Sequence, residues 1–313
     1  MTLQETAASP LAPVSSQLTR SEGVARGMRL MLRDKAALAS LLFLLAFLAS
    51  AFAVAALVNE SSIRPNFSER LLPPSLSTGH FLGTDPLGRD LLLRILFATR
   101  TSILLSLSVV LLSVSAGTIL GLVSGYRGGW TDDLIMRVTD VALGFPSLLL
   151  ALIVIYALGP GVTNMVIVLA FTRWMLYTRV VRAETLKLKH FSYVESARLT
   201  GGTDLWIARK HILPNVFAII STLTVLELGS VILSESGLSF LGLGIQPPAA
   251  SLGLLVAQGS SYITRAWWLV LFPGLAISLI TMSLIMLSNW LAIALDPVQR
   301  WRLTLPREKR AKV

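Results

Sequence analysis

The chain has no cysteine among its 313 residues and only three histidines. The absence of cysteine excludes disulfides, iron–sulfur clusters, thiolate zinc sites and cysteine nucleophiles. Charged residues make up 14% of the chain, whereas soluble domains contain about a quarter. Hydrophobic residues make up 54% and are concentrated in long runs, which predicts an integral membrane protein rather than one soluble core.

Motifs of catalysis and nucleotide binding are also missing. No Gly-x-x-x-x-Gly-Lys-Ser/Thr run occurs, so a phosphate-binding loop of that type is excluded. No Gly-x-Ser-x-Gly run occurs either, and three scattered histidines predict no metal site. The net charge of +10 comes from basic residues that flank the apolar runs without interleaved aromatics, which argues against nucleic-acid binding. We therefore expect no enzymatic activity, catalytic residue, metal or cofactor in this chain.

Six apolar segments are candidates for crossing a bilayer, which takes about 20 residues in a helix. Their apolar residues run continuously, without the period-two alternation of membrane strands, so they predict helices. The predicted fold class is therefore all-α, a polytopic membrane protein with six transmembrane helices. The third segment contains Asp140 and Pro146, and we expect it to be bent. The segments are residues 36–58, 102–123, 134–158, 162–179, 216–238 and 267–295.

The distribution of basic residues predicts the orientation. If both termini lie on the same side as residues 173–214, that side holds 21 of the 27 Lys and Arg residues. Because basic residues accumulate on the cytoplasmic side, we expect both termini in the cytoplasm. Residues 1–35 would then form a cytoplasmic tail, largely disordered at its start, residues 36–295 the transmembrane domain, and residues 296–313 a second cytoplasmic tail.

Residues 59–101 lie between the first two spans and predict a small folded cap outside the membrane. Its charged residues include Asp85, Arg89 and Asp90. Thr84-Asp85-Pro86 is typical of a helix start, so we expect Asp85 to be the N-cap and Pro86 the first helical residue.

Residues 180–214 form a long basic connection on the predicted cytoplasmic side. The segment predicts a continuation of the fourth span, a short helix, a break at Gly201-Gly202 and a further helix into the fifth span. Gly201 can supply the left-handed residue that ends the short helix, and the small side chains of Ser196 and Ala197 allow a partner to approach closely. We interpret this segment as a docking element for another protein, although Glu195 on its own could be an ordinary solvated carboxylate.

The order Glu195-Ser196-Ala197, Gly201 and Leu213-Pro214 resembles the cytoplasmic EAA loop of ABC importer permeases. Ser196 replaces the middle Ala of that pattern, and His211 stands where the family has Ile. Three further segments resemble the peptide and nickel branch of this family, and the similarity extends over residues 30–300. These segments are residues 82–90, 239–248 and 295–297.

The resemblance implies the type I importer permease fold and a role as the second permease subunit of a peptide importer in the bacterial inner membrane. It also implies a second homologous permease, two ATP-binding-cassette subunits that bind ATP and Mg²⁺, an extracytoplasmic substrate-binding protein and surrounding lipid. The residues expected to form the ATPase-docking loop are Glu195, Ser196, Ala197, Gly201, Leu213 and Pro214.

Acidic residues inside the spans are candidates for the translocation path or for interior polar contacts, because charge is costly in a membrane. Asp140 and Glu227 are the principal ones, and Asp140 could instead pair with Arg137 or another basic group near the inner surface. We expect Glu235 to lie near the outer surface. Gly117 and Gly121 are four residues apart and predict close packing with a neighbouring helix.

Other functions stay open at this point. The same machinery could import nickel or another small solute, because a separate binding protein sets much of the selectivity in such importers. A stand-alone ion-coupled transporter would use the acidic residues in the spans, but we find no inverted repeat with paired broken helices. A membrane enzyme lacks a convincing set of catalytic residues.

Overall fold

A computed structural model describes residues 31–32, 34–58, 64–77, 79–247 and 249–295. Within these ranges the regular structure is helical apart from one isolated bridge between Thr84 and Asp90, which confirms the predicted all-α class. A π-helical turn at Ala208–Ile212 joins α7 to α8, and a short 3₁₀ turn covers Phe67–Glu69. The helices are α1 (Lys35–Leu57), α2 (Leu91–Arg127), α3 (Gly129–Leu143), α4 (Ser147–Leu158), α5 (Val162–Leu188), α6 (Ser192–Leu199), α7 (Asp204–Ile207), α8 (Leu213–Phe240), α9 (Leu252–Ser260) and α10 (Trp268–Leu295).

Four helical segments of the described chain are long and apolar enough to cross a membrane. They are α1, α2, the continuous stretch from Asp204 to Phe240, and α10. The pair α3–α4 adds a fifth if it is one broken span. The fourth predicted span, residues 162–179, forms the first part of α5, but Arg173 and Arg179 lower its hydropathy. By length and composition, the described residues therefore contain four or five candidate spans, where the sequence predicts six.

The bend predicted for the third span is present and divides it into two helices. α3 and α4 meet at an angle of 87°. Pro146 precedes the first residue of α4, and its ring prevents the α3 helix from continuing through this point. The break places α4 against α5 and leaves large apolar side chains of both short helices exposed, including Val141 at 67% and Ile153 at 69%.

α2 is the longest helix and begins later than the sequence predicts. Its N-cap is Asp90, whose carboxylate accepts a 3.0 Å hydrogen bond from Leu93 N, so the assignment of Asp85 and Pro86 to the helix start was wrong. With 37 residues the helix is about 55 Å long, while the hydrocarbon core is about 30 Å thick. α2 therefore extends beyond the membrane and connects its two sides.

The core is built around α2. One buried cluster near the cap joins α1, α2, α8, α9 and α10 through Leu44, Ile95, Ile232, Leu255 and Ile280. Towards the other end of α2, Val181 of α5 packs with Ile212 and Val216. Of the predicted tails, residues 1–30 and 33 of the first and all of 296–313 lie outside the described residues, as do cap residues 59–63 and 78.

Candidate functional site

The short helix of the predicted docking loop is α6, and it carries Glu195, Ser196 and Ala197. Val194 and Ala197 are buried against Ile207 and Tyr126, while Glu195 and Ser196 lie exposed on the outer side. The helix therefore has one face fixed to the protein and one face free for a partner.

Gly201 ends α6 as predicted. Its φ of +87° is in the left-handed region, where side chains with a Cβ are strained. Its amide donates to Arg198 O at 3.1 Å, and the amide of Gly202 donates to Ala197 O at 3.0 Å. These two bonds form a Schellman motif, which turns the chain back at once into α7.

Tyr126, at the end of α2, connects this hairpin to the membrane domain. Its hydroxyl donates a 3.0 Å hydrogen bond to Asp204 Oδ1 and accepts one of 3.3 Å from Arg198 Nη2. The Arg198 guanidinium also lies over the Tyr126 ring, 5.6 Å from its centroid. A single side chain of α2 thus holds the end of α6 and the start of α7.

Leu213 and Pro214, the remaining residues of the predicted loop, lie apart from the exposed face of α6. They begin α8, after the π-helical turn at 208–212. Proline has no N–H and its ring collides with the carbonyl four residues earlier, and the wider π turn accommodates both defects. Asn215 Nδ2 donates to His211 O at 2.6 Å within the same turn. The structure thus places Glu195, Ser196, Ala197 and Gly201 together and assigns Leu213 and Pro214 to the return into the membrane.

α2 and α5 are in close contact next to the docking loop. A Cβ added to Gly121 would lie 2.7 Å from Thr178 O, and one added to Gly125 would lie 2.7 Å from Thr185 Cβ. A Cβ added to Gly117 would lie still closer to Tyr177, which confirms the predicted packing role of Gly117 and Gly121. Lys189 Nζ, just beyond α5, donates to Gly125 O at 3.0 Å. The two helices are therefore closely packed along the part of α2 that leads to the loop.

Two ion pairs tie α3 to α5. Asp140 accepts a 2.6 Å hydrogen bond from Arg179 Nη2, and both side chains are more than half exposed. Asp132 is bound at both oxygens by Arg182, at 2.5 and 2.6 Å, and it also accepts from Ser124 of α2. Sequence reasoning anticipated a basic partner for Asp140, although not Arg179. It missed the pair of Asp132 and Arg182. The only signal in the sequence was the helical spacing of Asp132 with Asp140 on one segment and of Arg179 with Arg182 on the other.

The interior acids have different surroundings. Glu227 is 5% exposed and lies 3.4 Å from Arg173, whose guanidinium also donates to Ser230 and Ser234. Arg173 thereby joins α5 to α8 inside the bundle. Glu235, predicted near the outer surface, has no exposed area and accepts hydrogen bonds from Ser239 at 2.6 Å and Ser102 at 3.3 Å.

The cap is organised around Asp85, which is fully buried. Its carboxylate accepts from the amides of Leu87 and Arg89 at 2.8 and 2.9 Å, and from the guanidinium groups of Arg89 and Arg94 at 2.7 Å each. Arg94 also donates to Gln258 of α9 at 2.9 Å. Asp85 and Arg89 therefore form a charged centre, which Arg94 attaches to α2 and α9.

Asp90 forms a second polar centre of the cap with His80. His80 Nδ1 lies 2.8 Å from Asp90 Oδ2, and His80 Nε2 lies 3.4 Å from Glu69 Oε2. The hydrogen bond with Asp90 raises the pKa of the His80 imidazole, with a smaller contribution from Glu69, and burial opposes the shift. The three predicted cap residues thus belong to two adjacent networks.

A family model matches residues 117–301, and its description is binding-protein-dependent transport system inner membrane component. Three relatives illustrate the similarity of the whole chain. A putative peptide transport system permease protein of Brucella suis is 37% identical over 93% of this chain and 97% of its own length. A glutathione transport system permease protein of Pectobacterium atrosepticum is 39% identical over 86% of this chain and 89% of its own length. A di/tripeptide transport system permease protein of Pseudomonas aeruginosa is 39% identical over 84% of this chain and 88% of its own length.

Proposed function

Because the chain belongs to the family of binding-protein-dependent transport system inner membrane components, we propose that it is the permease subunit of an ATP-driven importer of dipeptides and oligopeptides. The observation that carries this proposal is the hairpin of α6 and α7, which exposes Glu195 and Ser196 while its other face is anchored to α2. Relatives named for peptide transport, which match nearly the whole chain, support the substrate class.

The ATPase activity belongs to partner subunits that bind ATP and Mg²⁺, and each permease of the complex offers its loop to one of them. Glu195, Ser196 and Ala197 belong to the docking helix, and Gly201 reverses the chain so that Glu195 and Ser196 stay exposed while Ala197 packs against Tyr126. When the ATPases close, they displace this helix, and the Tyr126 contacts pass the movement to α2. Rigid-body movement of this kind converts one conformation of the permease into another.

A second permease subunit pairs with this one through the bent segment α3–α4. The face of this segment exposes Val141, Phe145, Ile153 and Tyr156 without a covering element in the described chain. Within that surface, Asp140 and Arg179 form an exposed ion pair, and we assign them to the translocation path between the two permeases. Glu227 is enclosed by α5 and α8, so its assigned role is an interior polar contact rather than contact with substrate.

The cap lies on the extracytoplasmic side of the membrane. The docking loop and both termini lie in the cytoplasm. The buried Asp85 network fixes the cap to α2 and α9, so an extracytoplasmic binding protein that touches the cap touches a part joined rigidly to the spans.

Reconstitution of the assembled complex with its binding protein tests the function. Dipeptides and oligopeptides should stimulate ATP hydrolysis and enter the vesicles, whereas free amino acids and nickel chelates should do neither. Stimulation by nickel chelates alone would overturn the peptide assignment. Uptake driven by an ion gradient in vesicles that contain this chain alone would overturn the ATP-driven mechanism.

A further inference from the structure

A groove of about 360 Å³ lies beside the proposed docking loop, between the last turns of α2 and the stretch from α7 to the start of α8. One part of its wall is apolar and is formed by Ile119, Leu122 and Val123 of α2 together with Leu205. Ile119 is 62% exposed and Leu205 79% exposed, so the described chain leaves this wall largely uncovered.

The other part of the groove is basic. Arg127, the last residue of α2, and Arg209, in the π-helical turn, both line it, and both are exposed. Neither guanidinium has an ion-pair partner within the described ranges of the chain. Asp204, the one acid that lines the groove, already accepts a hydrogen bond from Tyr126. The groove therefore combines an apolar wall with an excess of positive charge.

The position of the two parts along α2 indicates what fits there. Ile119 to Val123 belong to the apolar span, whereas Arg127 ends the helix one turn later, at the level where head groups begin. A soluble anion would leave the apolar wall uncovered. A zwitterionic lipid, whose phosphate is balanced by its own ammonium group, would leave the excess positive charge of the groove uncompensated. Basic pockets between helices at a membrane surface bind anionic lipid head groups.

We propose that this groove binds one anionic phospholipid, with its phosphate on Arg127 and Arg209 and an acyl chain along Ile119 and Val123. The bound lipid covers the wall between α2 and the α7–α8 stretch. It thereby holds the return helix of the docking loop at a fixed height relative to the head groups. This inference goes beyond the proposed function, since it requires only that the chain is embedded in a membrane.

Native mass spectrometry of the assembled complex, released from nanodiscs, tests the proposal. The nanodiscs contain phosphatidylethanolamine with either phosphatidylglycerol or phosphatidylcholine as the second lipid. We expect the wild type to retain phosphatidylglycerol selectively. Each of Arg127→Gln and Arg209→Gln should weaken retention about fivefold, and the double variant about 25-fold. Arg265→Gln, an exposed arginine between α9 and α10, is the matched control and should retain lipid normally.

A steric variant keeps the test independent of charge. Ile119→Trp fills the apolar wall while both arginines stay, and it should also reduce retention. Equal retention of phosphatidylglycerol by the double arginine variant would overturn the proposal, as would equal retention of phosphatidylcholine by the wild type. Loss of the lipid when the ATPases assemble would assign the groove to a protein contact instead. Binding of inorganic phosphate that the arginine variants abolish, without lipid retention, would assign the arginines to a soluble anion.

Discussion

The hydroxyl of Tyr126 donates a 3.0 Å hydrogen bond to Asp204, a residue 78 positions further along the chain. The same hydroxyl accepts from Arg198, so both helices of the proposed docking hairpin are bound to the end of α2. At its other end α2 is capped by Asp90, and in its first turn Arg94 binds Asp85 of the cap. One continuous helix therefore joins the docking hairpin to the cap.

Tyr126→Phe should loosen the hairpin without unfolding the protein. The change removes two hydrogen bonds, but Asp204 and Arg198 are exposed and regain water, so we expect a cost of about 1 kcal/mol. Amide exchange in residues 192–207 should become about fivefold faster, and peptide-stimulated ATP hydrolysis should fall. Tyr262→Phe, which removes the hydroxyl of a partly buried tyrosine between α9 and α10, is the control and should change neither. Unchanged exchange in Tyr126→Phe would show that this contact does not hold the hairpin.

Gly201→Val should abolish coupling between ATP hydrolysis and uptake. A β-branched residue at φ +87° costs about 1–3 kcal/mol, so the Schellman turn reopens and α6 changes its direction. Gly201→Asn is the matched control, because asparagine tolerates the left-handed conformation and should keep most of the activity. The measurements are ATPase co-purification and uptake by the reconstituted complex. Normal uptake by Gly201→Val would contradict the role assigned to this turn.

Gly121→Leu should lower the thermal stability of the purified chain. The new side chain would collide with the backbone of α5 at Thr178, and overpacking of this kind costs about 1–3 kcal/mol. Gly237→Leu introduces the same side chain into α8, where an added Cβ has no atom within 4 Å. The apparent Tm in detergent should fall for Gly121→Leu and change little for the control. Equal Tm values would contradict the close packing of α2 and α5.

The cap should become less stable as the pH rises. The folded-state pKa of His80 is raised above its ordinary value of 6.5, mainly by the hydrogen bond with Asp90. The stabilisation is therefore fully present below pH 6.5 and is lost as the pH rises through the higher folded-state value. Amide exchange of residues 79–90, corrected for its intrinsic pH dependence, should accelerate across this range in the wild type but not in His80→Gln. A pH-independent wild-type cap would contradict the pairing.

Local signals in the sequence predicted much of the fold. Continuous apolar runs located the membrane helices, Pro146 located the bend, and the glycine spacing of α2 located a close helix contact, although not its partner α5. Gly201 was predicted as the end of α6 because a left-handed C-cap depends only on neighbouring residues. The docking residues Glu195 to Gly201 could be grouped for the same reason, although their role in ATPase docking stays a proposal.

Features that depend on distant residues were not predictable from local patterns. The local sequence at Asp85 is typical of a helix cap, yet α2 begins only at Leu91. The Asp85 carboxylate instead accepts from Arg94, which also donates to the distant Gln258. Asp132 and Arg182 are 50 residues apart and meet only because α3 turns back along α5. Glu235 is enclosed because Ser102 of α2, 133 residues earlier, lies against α8.

Cysteine cross-linking tests the docking of α6 most directly. The chain has no cysteine, so Ser196→Cys places a single thiol on the exposed face of this helix. In inside-out membrane vesicles that contain the assembled complex, a short thiol-to-amine cross-linker should join this position to an ATPase subunit. Tyr156→Cys on α4 should give no such product. Labelling of Ser196→Cys by an impermeant maleimide from the extracytoplasmic side, with no cross-link to the ATPase, would contradict the account.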